Sequence, residues 1–531
     1  MIDPSAPPDD SYSPQLRTAL VLTGIGTAGA YHAGVLRALH EAGVKLDVVA
    51  GRGIGAVGAL FAAIDGAQRL WEERGFWRSP GVRSFYSWRP VVRMAAWAAA
   101  LSLAIVALPI AVIAIGLVVF PVDFVLKMVG TTGAPEIVGA YLRLAQSAFA
   151  PEGLPTWLPR LVVLVLGCVV ACAASSGLRN GGVRRRRGRF WWRVVGSPLS
   201  SAEVTDHCWR VMWDLMRGAA QLKQPAPSDL GRRYTEMLTE NLGQPGFREL
   251  VLTVHDVDAH RDLVFALVAE PHRRGLFNRA TTAAAGARRA DVLDLSGVAR
   301  DHVVDAIAGA LAIPIATDLH ALTFAPDGFW RGETHRIGDR PASLARLLEE
   351  LSALGVEQAI VVSAASDLPG PHALSAPRLD GRGRVGEYLQ SSEMAAVRDV
   401  MHLAVAHVPR LFPITPDHNP VGPFDFAGGF DDRSDRRQPL TELMARGYED
   451  AYRQFIEPVV GASGEQVATA GHADAGGHVR AGARARGAGA ASASGSLESL
   501  GVADTEAGTY RAAAPGVEAP ARVSRPPAPR G

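Results

Sequence analysis

The sequence predicts an α/β fold with a mainly parallel central sheet, interrupted by an apolar helical hairpin. Short apolar runs alternate with helix-length segments between Thr18 and Ala63, a pattern typical of strand–helix–strand units. The same pattern returns in residues 249–257 and 358–365, after a long apolar stretch. We therefore expect one α/β domain built from residues 18–92 and 196–457, with residues 93–195 inserted into it.

The inserted segment contains two apolar stretches. Residues 94–122 are 29 consecutive uncharged residues and residues 161–178 are a further 18, whereas a bilayer core requires about 20. The second stretch is followed by Arg184 to Arg187 and by Trp191 and Trp192. Beside an apolar span we interpret this cluster as an interfacial anchor rather than a nucleic-acid patch.

Arginines also flank the first stretch on its N-terminal side, at positions 83, 89 and 93. Basic residues therefore lie outside both stretches, and the positive-inside rule places these flanks in the cytoplasm. The short loop 123–160 then faces the other side. The sequence predicts a multi-pass membrane protein whose α/β domain lies on the cytoplasmic side and whose partner is the bilayer.

Composition sets further bounds. The chain has 531 residues, of which 48% are apolar, and a net charge of +1, which argues neither for nor against a nucleic-acid partner. Because the basic cluster is assigned to the membrane interface, we expect no nucleic-acid partner. Its three cysteines suggest no disulfide framework. The acidic, proline-rich residues 1–17 and the Ala/Gly/Pro/Arg-rich residues 458–531 are expected to be disordered. No metal-ligand spacing, phosphate-binding lysine motif or other cofactor signature is recognisable, so we expect no cofactor.

The first of two glycine loops follows the first predicted strand. Gly24, Gly26 and Gly29 spell G-x-G-x-x-G before a helix. In a dinucleotide-binding fold this loop admits a pyrophosphate to a helix N-terminus, and Arg52 could then meet a 2′-phosphate. In an acyl-transfer enzyme, backbone N–H groups of such a loop form an oxyanion hole. The second interpretation requires a nucleophile on the next strand.

That nucleophile would lie in residues 51–55, Gly-Arg-Gly-Ile-Gly. They occupy the place of a nucleophile elbow, G-x-S-x-G, between a strand and a helix. Gly53 stands where the serine would be. Glycine adopts the strained elbow conformation without a Cβ clash, so it can preserve the turn while removing the chemistry.

The two loops together resemble those of patatin-like phospholipases. Residues 253–265 resemble a later strand of that family, and residues 308–332 resemble its A-S-A-A-I-P segment and the approach to its catalytic D-G-G/A. The resemblance covers roughly 18–92 and 196–457. It implies a three-layer α/β/α sandwich and a Ser–Asp dyad that hydrolyses lipid acyl esters.

Several positions depart from the family pattern. Gly53 replaces the serine, and Arg331 falls on the aspartate by the preferred register, whereas a slipped register selects Glu333. Asp327 precedes this position and is a weaker candidate. We expect an oxyanion loop formed by residues Gly24, Gly26, Thr27 and Gly29, elbow glycines Gly51 and Gly55, and no intact catalytic residue.

The favoured function is a membrane-anchored, catalytically impaired member of this family that binds a membrane lipid, an acyl ester or a protein partner. Two alternatives stay open. One is an active lipid acyl hydrolase with an unrecognised nucleophile. The other is a nucleotide-binding or structural membrane protein.

Overall fold

The structure, a computed structural model, describes residues 12–130, 134–179, 196–277, 290–366, 380–404 and 408–461. Residues 1–11, the basic run at 184–187 and residues 462–531 of the expected disordered tail lie outside the described residues. Residues 12–17 were also expected to be disordered, yet four of the six are buried or half-buried. Tyr12 is buried and its hydroxyl donates to the Lys45 carbonyl over 3.1 Å.

Nine strands of the described chain form one sheet. They are β1 Thr18–Thr23, β2 Val48–Gly51, β3 Glu249–Asp256, β4 Arg261–Leu267, β5 Val292–Asp294, β6 His320–Thr323, β7 Thr334–Gly338, β8 Gln358–Ser363 and β9 Arg410–Ile414. The order is β5-β4-β3-β2-β1-β8-β9, with the β6–β7 hairpin attached to the end of β3. Strands β3, β2, β1, β8 and β9 are parallel, whereas β4 and β7 run antiparallel to β3. Strands β10 Gly429–Asp431 and β11 Arg436–Gln438 form a separate hairpin.

The α-helices are α1 Ala28–Glu41, α2 Gly55–Ala62, α3 Gln68–Trp71, α4 Pro90–Met128, α5 Ala134–Phe149, α6 Leu154–Arg179, α7 Ala202–Arg217, α8 Pro227–Asn241, α9 His272–Phe277, α10 Val303–Ala310, α11 Ser343–Ala353, α12 Gly381–Ala404 and α13 Leu440–Ala451. Short 3₁₀ turns cover Pro80–Ser84 and Arg300–His302, and a π-helix covers Tyr452–Val460. Helices α1 and α13 make one of the most extensive helix–helix contacts.

Alternate residues of the central strands enter two separate hydrophobic clusters. Leu20 and Leu22 of β1 join one cluster with α1, α2 and α13. Ala19 and Val21 join the other with α11 and α12. Because neighbouring strand residues point to opposite faces, helices cover both faces of the mainly parallel sheet. Strands that precede and strands that follow the apolar insertion share this sheet.

The apolar insertion forms three helices, α4 to α6. Helix α4 has 39 residues and the segment Leu154–Ala171 of α6 has 18, and both are candidate membrane spans by length and hydropathy. In the most apolar 18-residue stretch of each helix, 11% of the residues of α4 and none of those of α6 are buried. Segment 123–160 was expected to be a short loop. It instead contains the end of α4, the whole of α5 and the start of α6, and Tyr141 of α5 packs on Phe120 of α4.

Candidate functional site

The two glycine loops meet at the carboxyl ends of β1 and β2. Leu22 and Gly51 are paired in the parallel ladder formed by these strands, so the residues that follow each strand emerge side by side. The backbone then closes the space between them. A Cβ on Gly55 would overlap the Leu22 carbonyl, and a Cβ on Gly51 would come within 2.6 Å of the Gly55 oxygen. These elbow glycines therefore allow the close packing of the turn.

Gly53 has the left-handed backbone conformation of an elbow, with φ at +55°. A Cβ at this position would overlap the carbonyl oxygen of Gly24. The same oxygen accepts a 2.9 Å hydrogen bond from the N–H of Ile54, the residue after the nucleophile position. In a nucleophile elbow that N–H stabilises the oxyanion. Here the first glycine loop occupies the donor and excludes a side chain at position 53.

Thr27 of the first glycine loop also has its hydrogen-bond donors occupied, by a segment distant in the chain. The N–H of Thr27 donates to the Pro423 carbonyl over 3.0 Å and its hydroxyl donates to the Gly422 carbonyl over 2.9 Å. A Cβ on Gly26 would overlap the Pro423 oxygen, and one on Gly29 would overlap the Trp77 ring. The cleft beside this loop has a volume of about 20 Å³, which is enough for a water molecule.

The structure does not bring Arg331 to Gly53. Arg331 is exposed in the turn between β6 and β7, and Asp327 is exposed in the same turn. Glu333 interacts with Nε2 of His335 over 3.2 Å. The carboxylate beside the elbow is Asp339, whose Oδ2 lies 3.1 Å from the Cβ position of Gly53. Strand β7 ends at Gly338, directly before Asp339. The structure thus places Asp339, and not Arg331, beside the elbow.

Asp339 belongs to a buried ion triad with Arg52 and Glu393. The Arg52 guanidinium is fully buried and donates to both oxygens of Asp339, over 3.2 and 3.1 Å. It also donates to Oε2 of Glu393 over 2.6 and 2.5 Å, and the Thr23 hydroxyl donates to Oε1 over 2.8 Å. Both carboxylates are therefore paired with one cation, and helix α12 is joined to the elbow through Glu393.

Burial perturbs the ionisation of this cluster. It raises the pKa of Asp339 to about 6; the Arg52 guanidinium opposes the shift and the Glu393 charge adds to it. His32 lies beside the cluster, with Nε2 3.0 Å from the Thr23 carbonyl. Burial lowers the pKa of His32 to about 4, and Arg52 contributes to the lowering. His32 is therefore neutral at physiological pH and cannot compensate the second carboxylate.

Sequence reasoning missed three parts of this site. Glu393 lies in the middle of α12 and has no motif around it. Residues 422–423 close the first loop from about 395 positions away in the chain. Asp339 follows a short strand, and its position after β7 was the one available signal. Within the described residues no group of three or more His, Cys, Asp or Glu side chains could hold a metal ion.

The patatin-like phospholipase family model matches residues 20–110, the segment that carries both glycine loops and the elbow. This segment of the chain is therefore patatin-like. The mouse, human and Pongo abelii proteins named patatin-like phospholipase domain-containing protein 6 are each 48% identical to it over 60 residues. Those residues are 11% of this chain and 4% of each relative.

This patatin-like chain thus matches the curated relatives over a small part of their length. The crystal structure of VipD from Legionella pneumophila aligns over 84% of this chain and 66% of its own, with 14% identity and a TM-score of 0.28. That score is too low to support a structural argument. The family assignment rests on the glycine-loop segment and agrees with the mainly parallel sheet.

Proposed function

We propose that this patatin-like protein is a catalytically inactive member of its family, anchored in a membrane, whose α/β domain serves as a binding module. The observation that carries the proposal is the position of the Gly24 carbonyl, which a Cβ on Gly53 would overlap and which accepts the Ile54 N–H. This arrangement leaves no place for a nucleophile and uses an oxyanion donor at the same time.

The chemistry of acyl transfer needs a nucleophile, a base and oxyanion donors. Position 53 has no side chain, and the arginine at position 331 cannot serve as a base at neutral pH. Asp339 stands near the elbow but is held by Arg52. The donors at Ile54 and Thr27 already have partners. Removing the nucleophile of a serine protease alone lowers turnover about 10⁶-fold, so we expect no measurable hydrolysis.

The small volume of the cleft supports a proposal for what the α/β domain binds. A space of about 20 Å³ admits a water molecule but not an acyl chain. We therefore assign the lipid contact of this protein to its apolar helices and the segments that adjoin them, and assign binding at the rest of the domain surface to a protein partner. A nucleotide-binding role is disfavoured because Arg52 is fully buried and bonded to two carboxylates.

Membrane anchoring is supported by α4 and α6. Large apolar side chains on both helices are exposed, among them Trp97 at 73% and Leu164 at 61%, which is unfavourable in water and favourable in lipid. Helix α4 is about 58 Å long at 1.5 Å per residue, longer than the hydrocarbon core of about 30 Å. With the arginine-rich flanks in the cytoplasm, the α/β domain lies on the cytoplasmic face.

Catalysis is tested with purified full-length protein on a short-chain acyl ester and on phosphatidylcholine vesicles, together with labelling by a serine-directed fluorophosphonate. Wild type, Gly53→Ser and Gly53→Ser/Arg331→Asp are compared. We expect neither turnover nor labelling in any of the three. Hydrolysis by wild type that persists in Asp339→Asn would show that an unrecognised nucleophile is present.

Anchoring is tested by alkaline extraction of membranes from cells that express the protein. We expect the chain to stay in the pellet. Cysteines introduced at Val298 and at Ser147 then report the topology through an impermeant maleimide applied to sealed, right-side-out cells. Labelling at 147 without labelling at 298 supports the proposed orientation, and the reverse pattern contradicts it.

A further inference from the structure

The base of α4 is bonded to the loop that follows α10. The Leu199 N–H donates to the Ala316 carbonyl over 2.9 Å, and Leu199 forms β-bridges with both Trp88 and Thr317. Arg89, the last residue before α4, forms a 2.5 Å ion pair with Asp318. Burial of Asp318 opposes its ionisation, but the Arg89 guanidinium outweighs this effect and holds the pKa of Asp318 below its ordinary value.

Ile315 projects from this loop in an unfavourable conformation. It has a φ of +71° and is 82% exposed. A β-branched residue rarely adopts the left-handed region, and a large apolar side chain is unfavourable in water. Backbone strain of this kind persists only where the surrounding structure fixes it. Here the bonds at Ala316 and Asp318 hold the loop on one side of Ile315, while Ile313 on the other side is buried.

Two exposed apolar side chains therefore stand where α4 leaves the α/β domain. Trp88 is 41% exposed and lies two residues before α4. Ile315 directly precedes Ala316, whose carbonyl accepts the Leu199 N–H, and Leu199 is in turn bridged to Trp88. We name Trp88 and Ile315 the root patch. Arg93, on the first turn of α4 and five residues after Trp88, is exposed as well.

We propose that the root patch docks the α/β domain onto the membrane surface, with Ile315 inserted among the lipid chains and Trp88 at the headgroup level. This inference rests on the proposed membrane anchoring. The patch is continuous with an apolar helix that is a candidate span. Tryptophan and arginine at the end of such a helix have the composition of a membrane interface, which fits lipid better than a protein partner.

The docking orients the closed site. The Asp339 N–H donates to the Ala312 carbonyl over 2.7 Å, so the loop that carries Ile315 begins beside the buried ion triad. Tyr86, two residues before Trp88, donates its hydroxyl to the Leu311 carbonyl over 3.0 Å. The end of the sheet that carries the glycine loops therefore faces the bilayer, and the domain surface at the opposite end is presented to the cytoplasm.

Labelling measures the depth of Ile315 directly. Ile315→Cys and the matched control Val298→Cys are prepared in full-length protein carrying Cys168→Ala and Cys172→Ala. Cys208 is kept because it is buried. Val298 is also a β-branched, exposed residue, at 70%. It follows β5, which runs antiparallel to β3 by way of β4, and so lies at the other end of the sheet. Each variant receives an environment-sensitive fluorophore and is reconstituted in 3:1 phosphatidylcholine–phosphatidylglycerol vesicles.

Nitroxide-labelled lipid in the same vesicles is expected to quench the label at 315 about twofold, as for a side chain inserted at the acyl boundary, and to leave the label at 298 unchanged. Resistance of each sample to alkaline extraction is measured in parallel. An extraction-resistant protein with no quenching at 315, or with equal quenching at 298, overturns the docking and leaves the anchoring intact. A protein released by alkali removes the anchoring and the docking together.

Discussion

Replacing Gly53 by serine restores the nucleophile in sequence, and the structure predicts that it lowers stability without restoring activity. The serine would have to adopt a φ of +55°, which costs an L-residue about 1–2 kcal/mol. Its Cβ would overlap the Gly24 carbonyl. Moving that peptide breaks the 2.9 Å bond from the Ile54 N–H, a loss of about 1 kcal/mol.

The expected total is about 2–3 kcal/mol, measured as a lowered thermal midpoint in detergent. Gly43→Ser is the matched control. Gly43 has a φ of +65° and open space around its Cβ position, so that variant bears the backbone strain without the overlap. We expect Gly53→Ser to be less stable than Gly43→Ser by about 1 kcal/mol, the net worth of one hydrogen bond.

Ester hydrolysis is measured on the same samples. Equal stability of the two variants, together with turnover in Gly53→Ser, would refute the reasoning. That result would show that the Gly24 peptide moves aside readily and that the closed loop is one accessible state among others.

Three further predictions concern the ion triad and the root patch. Arg52→Gln leaves two buried carboxylates without their cation, so we expect its free energy of unfolding at pH 7.5 to fall by about 3 kcal/mol or more. Asp339→Asn keeps the ion pair of Arg52 with Glu393 and should be nearly as stable as wild type. The pKa of Asp339 in the folded protein is about 6, above its ordinary value of 3.8. Its contribution to the free energy of unfolding is therefore full below pH 3.8 and is lost as the pH rises through 6. The pKa of His32 is lowered from 6.5 to about 4, so His32 makes the protein more stable as the pH rises through this range. The stability of Asp339→Asn should therefore rise more steeply between pH 4 and 6.5 than that of wild type. An unchanged slope would contradict the assignment. Ile315→Asn tolerates the left-handed backbone and should raise stability in detergent by about 1 kcal/mol, while no gain would show that the loop is unstrained.

The fold was largely predictable because its signals are local. Apolar runs bounded by glycine marked β1, β2, β3 and β8, and the two glycine loops could be placed at strand ends from spacing alone. The long uncharged stretch identified α4. Segment 123–160 was described as a loop because its amphipathic helix α5 has a mixed composition, and residues 12–17 were described as disordered because their burial depends on a tertiary contact of Tyr12.

The site was less predictable because its closure is made by residues distant in the chain. The sequence identified Gly53 and the two loops. It could not show that Thr27 donates to residues 422 and 423, or that Glu393 reaches Arg52 from the middle of a helix. The register that selected Arg331 failed to find Asp339 because the β6–β7 hairpin shifts the position at which the chain returns to the elbow.

The structure blocks the base and the oxyanion donors of the site as well as the nucleophile position, so more than a serine is missing. A base must be free to accept a proton, yet Asp339 is bound by a guanidinium that also requires Glu393. An oxyanion hole must keep its donors open, yet the Ile54 and Thr27 N–H groups have backbone partners. Restoring hydrolysis therefore requires more than a nucleophile: residues 422–423 must withdraw, the Gly24 peptide must turn, and Arg52 must release Asp339. Each step exposes a buried polar group that has a partner in the structure, which is why we expect the unsubstituted domain to persist as a closed module.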